Sequence, residues 1–235
     1  MPPVPHIIAN YFEQGDRFHK TAPADSSSAG KTGTVFLLHG WGVRAASMKK
    51  MAAALTERGF TVFNYDYPSS MRTIGDHAEI FLELYRKTLA RERIGGPVYF
   101  LTHSMGGIVL RGAMAKMTAD ECRRIDAIVM LGPPNGGSLL AHLGKNGLVR
   151  AFNASLGDMA TDEASYVRNI PPPPFLPPVG IIAGRFDGKV ALRNTLLPGG
   201  LPCRRTVVGC THPGLRDPKN TLEPALHFFR HKSFR

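Results

Sequence analysis

A serine hydroxyl is a poor nucleophile until a base takes its proton, so a reactive serine must project from a tight turn where an imidazole can reach it. Ser104 in "LTHSMGG" (101–107) stands at such a place, after an apolar run and before a helix-like segment. Strand and helix come close at that kind of elbow, so the residues two before and two after the serine must be small. Gly106 meets the demand, and Gly107 helps the helix pack. Thr102 departs from it, although a β-branched residue suits the strand it ends. An acyl-transfer step would also need a histidine to take the proton and a carboxylate to orient that histidine. Nine histidines and several acids are on offer, and position along the chain has to choose among them.

The elements that would hold these groups alternate regularly. Short apolar runs at 34–38, 61–67, 98–102, 126–131, 179–184 and 204–209 read as strands. Between them, "ASMKKMAAALTERGF" has helical spacing through Met48, Met51, Ala52 and Leu55, stopped by Gly59. "TIGDHAEIFLELYRKTLARER" puts Ile74, Ala78, Phe81, Leu82, Tyr85 and Leu89 on one face, opened by Thr73 with Asp76 as its capping partner. Met105 to about Met117 reads as a helix, and a closing helix surrounds "LEPALHFFR". Strands alternating with helices imply right-handed crossovers, a mostly parallel sheet and helices on both faces. Residues 1–33 read as an N-terminal segment with a polar surface loop at 21–33.

In an open parallel sheet the loops leaving the carboxyl ends of the strands converge on one edge, and sites are built there. The residues just after each strand are His39-Gly40-Trp41-Gly42, Asp66, His103-Ser104-Met105, Gly132-Pro133-Pro134-Asn135, Asp187 and His212. They include a serine, an acid and a histidine in that chain order. "FLLHGWG", "LTHSMGGIVLR", "VMLGPPNGGS", "DGKV" and "THPGLRDP" together resemble the bacterial lipase-like esterases of the α/β-hydrolase superfamily, over residues 34–232. The resemblance implies a single-domain α/β-hydrolase fold and a serine carboxylic-ester hydrolase that needs no cofactor. It implies Ser104 as nucleophile, His212 as base and Asp187 as the orienting acid, with Asp66, Asp158 and Asp162 as competitors for that last place. The backbone N–H groups of Trp41 and Met105 are the expected oxyanion donors. His39 is expected to shape the oxyanion loop, and His103 to point away from the nucleophile and pack. His6, His19, His77, His142, His227 and His231 read as surface or satisfied, partly buried groups. "PPNGGS" (133–138) reads as a rigid loop with no catalytic step of its own.

Composition narrows the class. Apolar residues at 43% and charged residues at 20% exclude a fully disordered chain. No apolar stretch reaches membrane-spanning length, and the start lacks a basic region followed by an apolar one, so a cytoplasmic protein is expected. Cys122, Cys203 and Cys210 show no metal-ligand spacing and read as free thiols. The net charge of +11 favours anionic partners, including peripheral contact with an anionic membrane. The basic residues are scattered without aromatic interleaving, which argues against nucleic acid.

Residues 139–178 occupy the place of a small cap or lid insertion. Leu139, Leu140, Leu143, Leu148, Val149 and Phe152 would form either an amphipathic lid helix over an acyl pocket or part of the core. "PPPPFLPP" reads as a stiff connection into the strand at 179, with a docking ligand as the sharper alternative. A small cap suits short or medium acyl esters. Acyl transfer, thioester or phospholipid deacylation by the same residues is an alternative chemistry, and a catalytically silent binding scaffold is an alternative of another class.

Overall fold

The computed structural model describes residues 15–24, 32–138, 141 and 153–235. Its seven-stranded sheet comprises β1 (Arg17–Thr21), β2 (Thr34–Leu38), β3 (Thr61–Asp66), β4 (Val98–His103), β5 (Ile125–Leu131), β6 (Val179–Gly184) and β7 (Arg204–Val208). The spatial order is β1-β3-β2-β4-β5-β6-β7. Every pair from β3 to β7 is parallel, and β1 lies antiparallel on β3. The helices are α1 (Lys49–Glu57), α2 (Ile74–Arg91), α3 (Met105–Met114), α4 (Ala119–Arg123), α5 (Tyr166–Asn169) and α6 (Pro218–His231).

The central strands are apolar throughout because both of their faces are covered. Phe36, Phe63 and Phe100 pack on one face beneath α2 and α3. Val35, Leu37 and Val129 face the other way, beneath α1 and α6. Parallel connections place the carboxyl ends of β2, β4, β5, β6 and β7 along one edge, where Trp41, Ser104, Met105, Asp187 and His212 lie. Thr73 opens α2 with a full capping box: its side chain accepts from Asp76 N–H, and the Asp76 carboxylate accepts from Thr73 N–H.

Two elements differ from the sequence expectation. The region read as an N-terminal segment and loop contains β1, "RFHKT", whose residues are mostly exposed and whose inward contact comes from Phe18 against Phe36 and Tyr65. An edge strand needs no apolar run, and its charges protect an open edge. The short α4 also went unread; Thr118 and Glu121 cap it. The six residues expected in either a lid helix or the core lie outside the described residues. The rest of the insertion carries α5 and returns through an extended Pro run, where Pro171 to Pro173 line an apolar slot with Ile128 and Met130. The three cysteines are free. Among the described residues no helix is long and apolar enough to cross a membrane.

Candidate active site

Ser104 sits between β4 and α3 with φ 53° and ψ −125°. An L residue with a side chain pays about 1–3 kcal/mol for such a conformation, so the surroundings must enforce it. Ser104 N–H donates to Leu131 O of β5 at 2.9 Å, and Gly107 N–H donates to Ser104 O at 3.0 Å. Gly106 lets α3 begin against β2, since a Cβ there would lie 2.5 Å from Leu38 O. Thr102 is fully buried, and a Cβ at Gly107 would lie 3.2 Å from its Oγ1. Space that a glycine at 102 would have provided is thus provided across the turn by Gly107. Thr102 Oγ1 has no hydrogen-bond partner among the described residues.

The loops after β6 and β7 bring Asp187 and His212 together. His212 Nδ1 and Asp187 Oδ2 are 2.6 Å apart, and the two side chains are only 5% and 2% exposed. A carboxylate can only accept there, so Nδ1 carries the proton and Nε2 is left free to act as a base. Asp187 Oδ1 accepts from the Lys189 and Val190 N–H groups at 2.8 and 2.9 Å. Burial alone would raise the Asp187 pKa, but the hydrogen bonds from His212, Val190 and Lys189 outweigh it and hold the carboxyl below its ordinary range. Gly132 at φ +53° passes beside this pair; a Cβ there would lie 3.2 Å from Asp187 Oδ2 and 3.3 Å from His212 Nδ1.

Ser104 and His212 line one cavity of about 100 Å³ together with Trp41, Val43, Leu156 and Met159. No hydrogen bond joins Ser104 Oγ to His212 among the described residues, and a hydroxyl-to-imidazole bond at such a site commonly forms only around a substrate. Met105 is the first residue of α3, so its N–H has no acceptor within the helix and is free for a ligand. Trp41 follows Gly40, whose missing Cβ allows the β2 loop to approach Ser104 Cβ and His103 Nδ1, both 2.9 Å from where that Cβ would be. Ser69 fixes the rest of this loop, accepting from Gly42 N–H at 3.0 Å and donating to Val43 O at 3.1 Å.

The remaining candidates have other tasks. Asp66 is held by the Arg44 guanidinium at 2.8 and 2.9 Å and by Ala45 N–H, and Asp158 accepts from Ile74 N–H at the start of α2. The Asp162 carbonyl accepts from Ser165 in the turn before α5. His39 stacks on Tyr67 with ring centroids 4.1 Å apart, and its Nδ1–H donates to Gly40 O. Burial pushes its pKa down to about 4, so it shapes the loop as a neutral ring.

Two histidine expectations need correction. His103 packs as expected but does not point away: strand alternation, kept through its pairing with Leu131, puts it on the face of Leu101 and the His212 turn, and it lines the cavity with its ring 4.8 Å from that of His212. Its Nε2–H donates to His212 O at 3.1 Å. His77 is neither a surface group nor satisfied, for it is fully buried against Tyr67, with no partner for either ring nitrogen among the described residues. His6 and His142 lie outside the described residues.

"PPNGGS" has a structural task that the sequence did not disclose. Asn135 is fully buried; its Oδ1 accepts from Arg111 of α3 at 3.1 Å and its Nδ2 donates to Thr195 O at 2.8 Å. Gly136 N–H donates to Asn194 O, Asn194 Nδ2 donates to Gly137 O, and Ser138 Oγ donates to Lys189 O. The β5 loop therefore ties the helix behind Ser104 to the loop that carries Asp187. Arg111, a lone charge in the apolar run "IVLRGAM", was the available signal.

A search of curated proteins finds no match to this sequence. Solved structures share its fold at low identity. Bacillus licheniformis lipase BlEst2 in mature form is 15% identical, with 90% of this chain and 97% of that chain covered and a TM-score of 0.68. A type II thioesterase, YbtT, of the yersiniabactin biosynthetic pathway is 14% identical, covering 92% and 99%, with a TM-score of 0.62. A carboxylesterase structure from Nitrososphaera gargenis is 14% identical, covering 92% and 94%, with a TM-score of 0.59. The model of the Alpha/beta hydrolase family matches residues 35–227, from β2 into α6, and with this sheet order and elbow the chain belongs to that family.

Proposed function

We propose that the protein is a serine hydrolase of carboxylic esters, with Ser104 as nucleophile, His212 as general base and acid, and Asp187 as the group that orients His212. The observation that carries this reading is the buried Asp187–His212 hydrogen bond of 2.6 Å beside a cavity that a strained Ser104 also lines. His212 Nε2 takes the Ser104 proton as Oγ attacks the acyl carbon. The oxyanion that forms accepts from the N–H groups of Trp41 and Met105, each donor worth about 3 kcal/mol at such a site. Collapse expels the alcohol, which receives the proton from His212, and leaves an acyl group on Ser104. Water, deprotonated by His212, then releases the acid and restores the serine.

A cavity of about 100 Å³ is small beside the ~300–1,000 Å³ typical of drug-sized ligands, which supports short acyl chains. Turnover of p-nitrophenyl esters of increasing chain length tests both claims. Short esters should react, and Ser104→Ala should lower kcat by about 10⁴-fold or more. Turnover of long, emulsified esters alone would rule out the short-chain assignment. Unchanged turnover in Ser104→Ala would rule out the nucleophile.

A further inference from the structure

The cavity beside Ser104 has an unbalanced charge. Its described lining includes Lys189 and Arg216 and contains no Asp or Glu. Asp187, the acid nearest in sequence to Lys189, accepts from His212 and from two backbone N–H groups and is 2% exposed. Arg216 is half-buried, and its one hydrogen bond among the described residues is a long 3.5 Å approach of Nε to Pro213 O. Neither cation has a carboxylate partner among the described residues. Burial lowers the Arg216 pKa with no anion to offset it, and its charge is felt at His103, which packs on His212. Arg216, kept partly out of water without a partner, is unfavourably placed unless something negative arrives, while Lys189 is exposed at the rim.

The two cations have a common origin. Lys189 belongs to the acid loop, and Arg216 ends the turn Pro213–Arg216 that directly follows His212. Trp41 and Val43 of the oxyanion loop, with Leu156 and Met159, supply the apolar lining instead. His212 is the group that protonates the departing alcohol, so a turn continuing from it flanks the alcohol half of a bound ester. The protein's net charge of +11 would draw negatively charged substrates toward this opening.

We infer that the preferred ester carries an anionic group, carboxylate or phosphate, in its alcohol half, held by Arg216 and Lys189 while Ser104 attacks the acyl carbon. This rests on the ester-hydrolase reading above. The test compares kcat/KM, normalised to uncatalysed hydrolysis, for matched pairs of soluble esters. In the alcohol arm, p-acetoxybenzoate and p-acetoxyphenyl phosphate are set against the neutral methyl p-acetoxybenzoate. In the acyl arm, p-nitrophenyl hemiglutarate is set against p-nitrophenyl valerate.

The alcohol arm should favour an anionic member by about tenfold or more, as a charge-assisted hydrogen bond provides. The phosphate and carboxylate members tell which anion is recognised. The preference should shrink as salt is added, and Arg216→Gln should bring the ratio toward one. Lys189→Gln and the salt series on the unaltered protein give the same readout should Arg216→Gln fold poorly. A ratio of one or less in the alcohol arm, or a preference confined to the acyl arm, overturns the inference while turnover of the neutral esters leaves the hydrolase reading standing. No turnover of any ester removes the hydrolase reading, and the inference falls with it.

Discussion

Thr102 shows how a departure from a motif is absorbed at a single position. Its methyl and hydroxyl are buried at the end of β4, and the hydroxyl has no protein partner among the described residues, so nothing there requires oxygen chemistry. Replacing a buried unpaired hydroxyl with a methyl of the same shape removes a desolvation cost of about 1–3 kcal/mol. Thr102→Val should therefore raise the unfolding free energy measured in urea by about 1 kcal/mol and leave kcat/KM within about tenfold; a loss of stability would mean that a bound water satisfies the hydroxyl. At Asp187 the expectation is kinetic. Asp187→Asn should lower kcat by about 10³–10⁴-fold, because an amide nitrogen facing His212 favours the wrong tautomer, and an effect below tenfold would show that another group orients the ring. That Ser104, His212 and Asp187 meet at one edge of the sheet was legible in the sequence, because each follows a strand whose apolar run is easy to see. Gly132 and Asn135 were not, because a glycine's tight approach or an asparagine's partners depend on chain segments far away in sequence.

At the scale of elements, the central strands declared themselves by continuous apolar runs, and α2 by its periodicity and capping residues. β1 stayed hidden because pairing through backbone hydrogen bonds on an open edge leaves no hydrophobic pattern. The β5 loop is the element whose role grew most, since it links α3 to the acid loop through Asn135. Asn135→Ala would leave the buried Arg111 guanidinium without its Oδ1 acceptor and Thr195 O without its donor. About 3 kcal/mol of stability should be lost in urea unfolding. A loss under about 1 kcal/mol would show that the loop is held by its glycine and proline backbone instead.

At the scale of the whole molecule, buried neutral histidines set the acid limit of stability. Burial pushes His39 and His77 each down to about 4 from an ordinary value near 6.5. The unfolded chain then binds protons that the folded chain refuses, so stability is complete above pH ~6.5 and declines as pH falls toward ~4. His39 and His77 account for up to about 3 kcal/mol each, buried His103 shifts in the same direction and adds to the loss, and carboxylates such as Asp187, held below their ordinary range, contribute only at lower pH. Unfolding free energies at pH 7.5 and 4.5 should show this drop, and His77→Phe should remove about a third of the slope; a flat profile would mean that the histidines are protonated in the folded protein. If the site works as proposed, one serine of this fold is far more reactive than the others. Reaction with a fluorophosphonate probe followed by peptide mass mapping tests it most directly. A single adduct should form on Ser104, absent in Ser104→Ala and slowed in His212→Ala. An unlabelled Ser104, under conditions where a known serine hydrolase reacts, would contradict it.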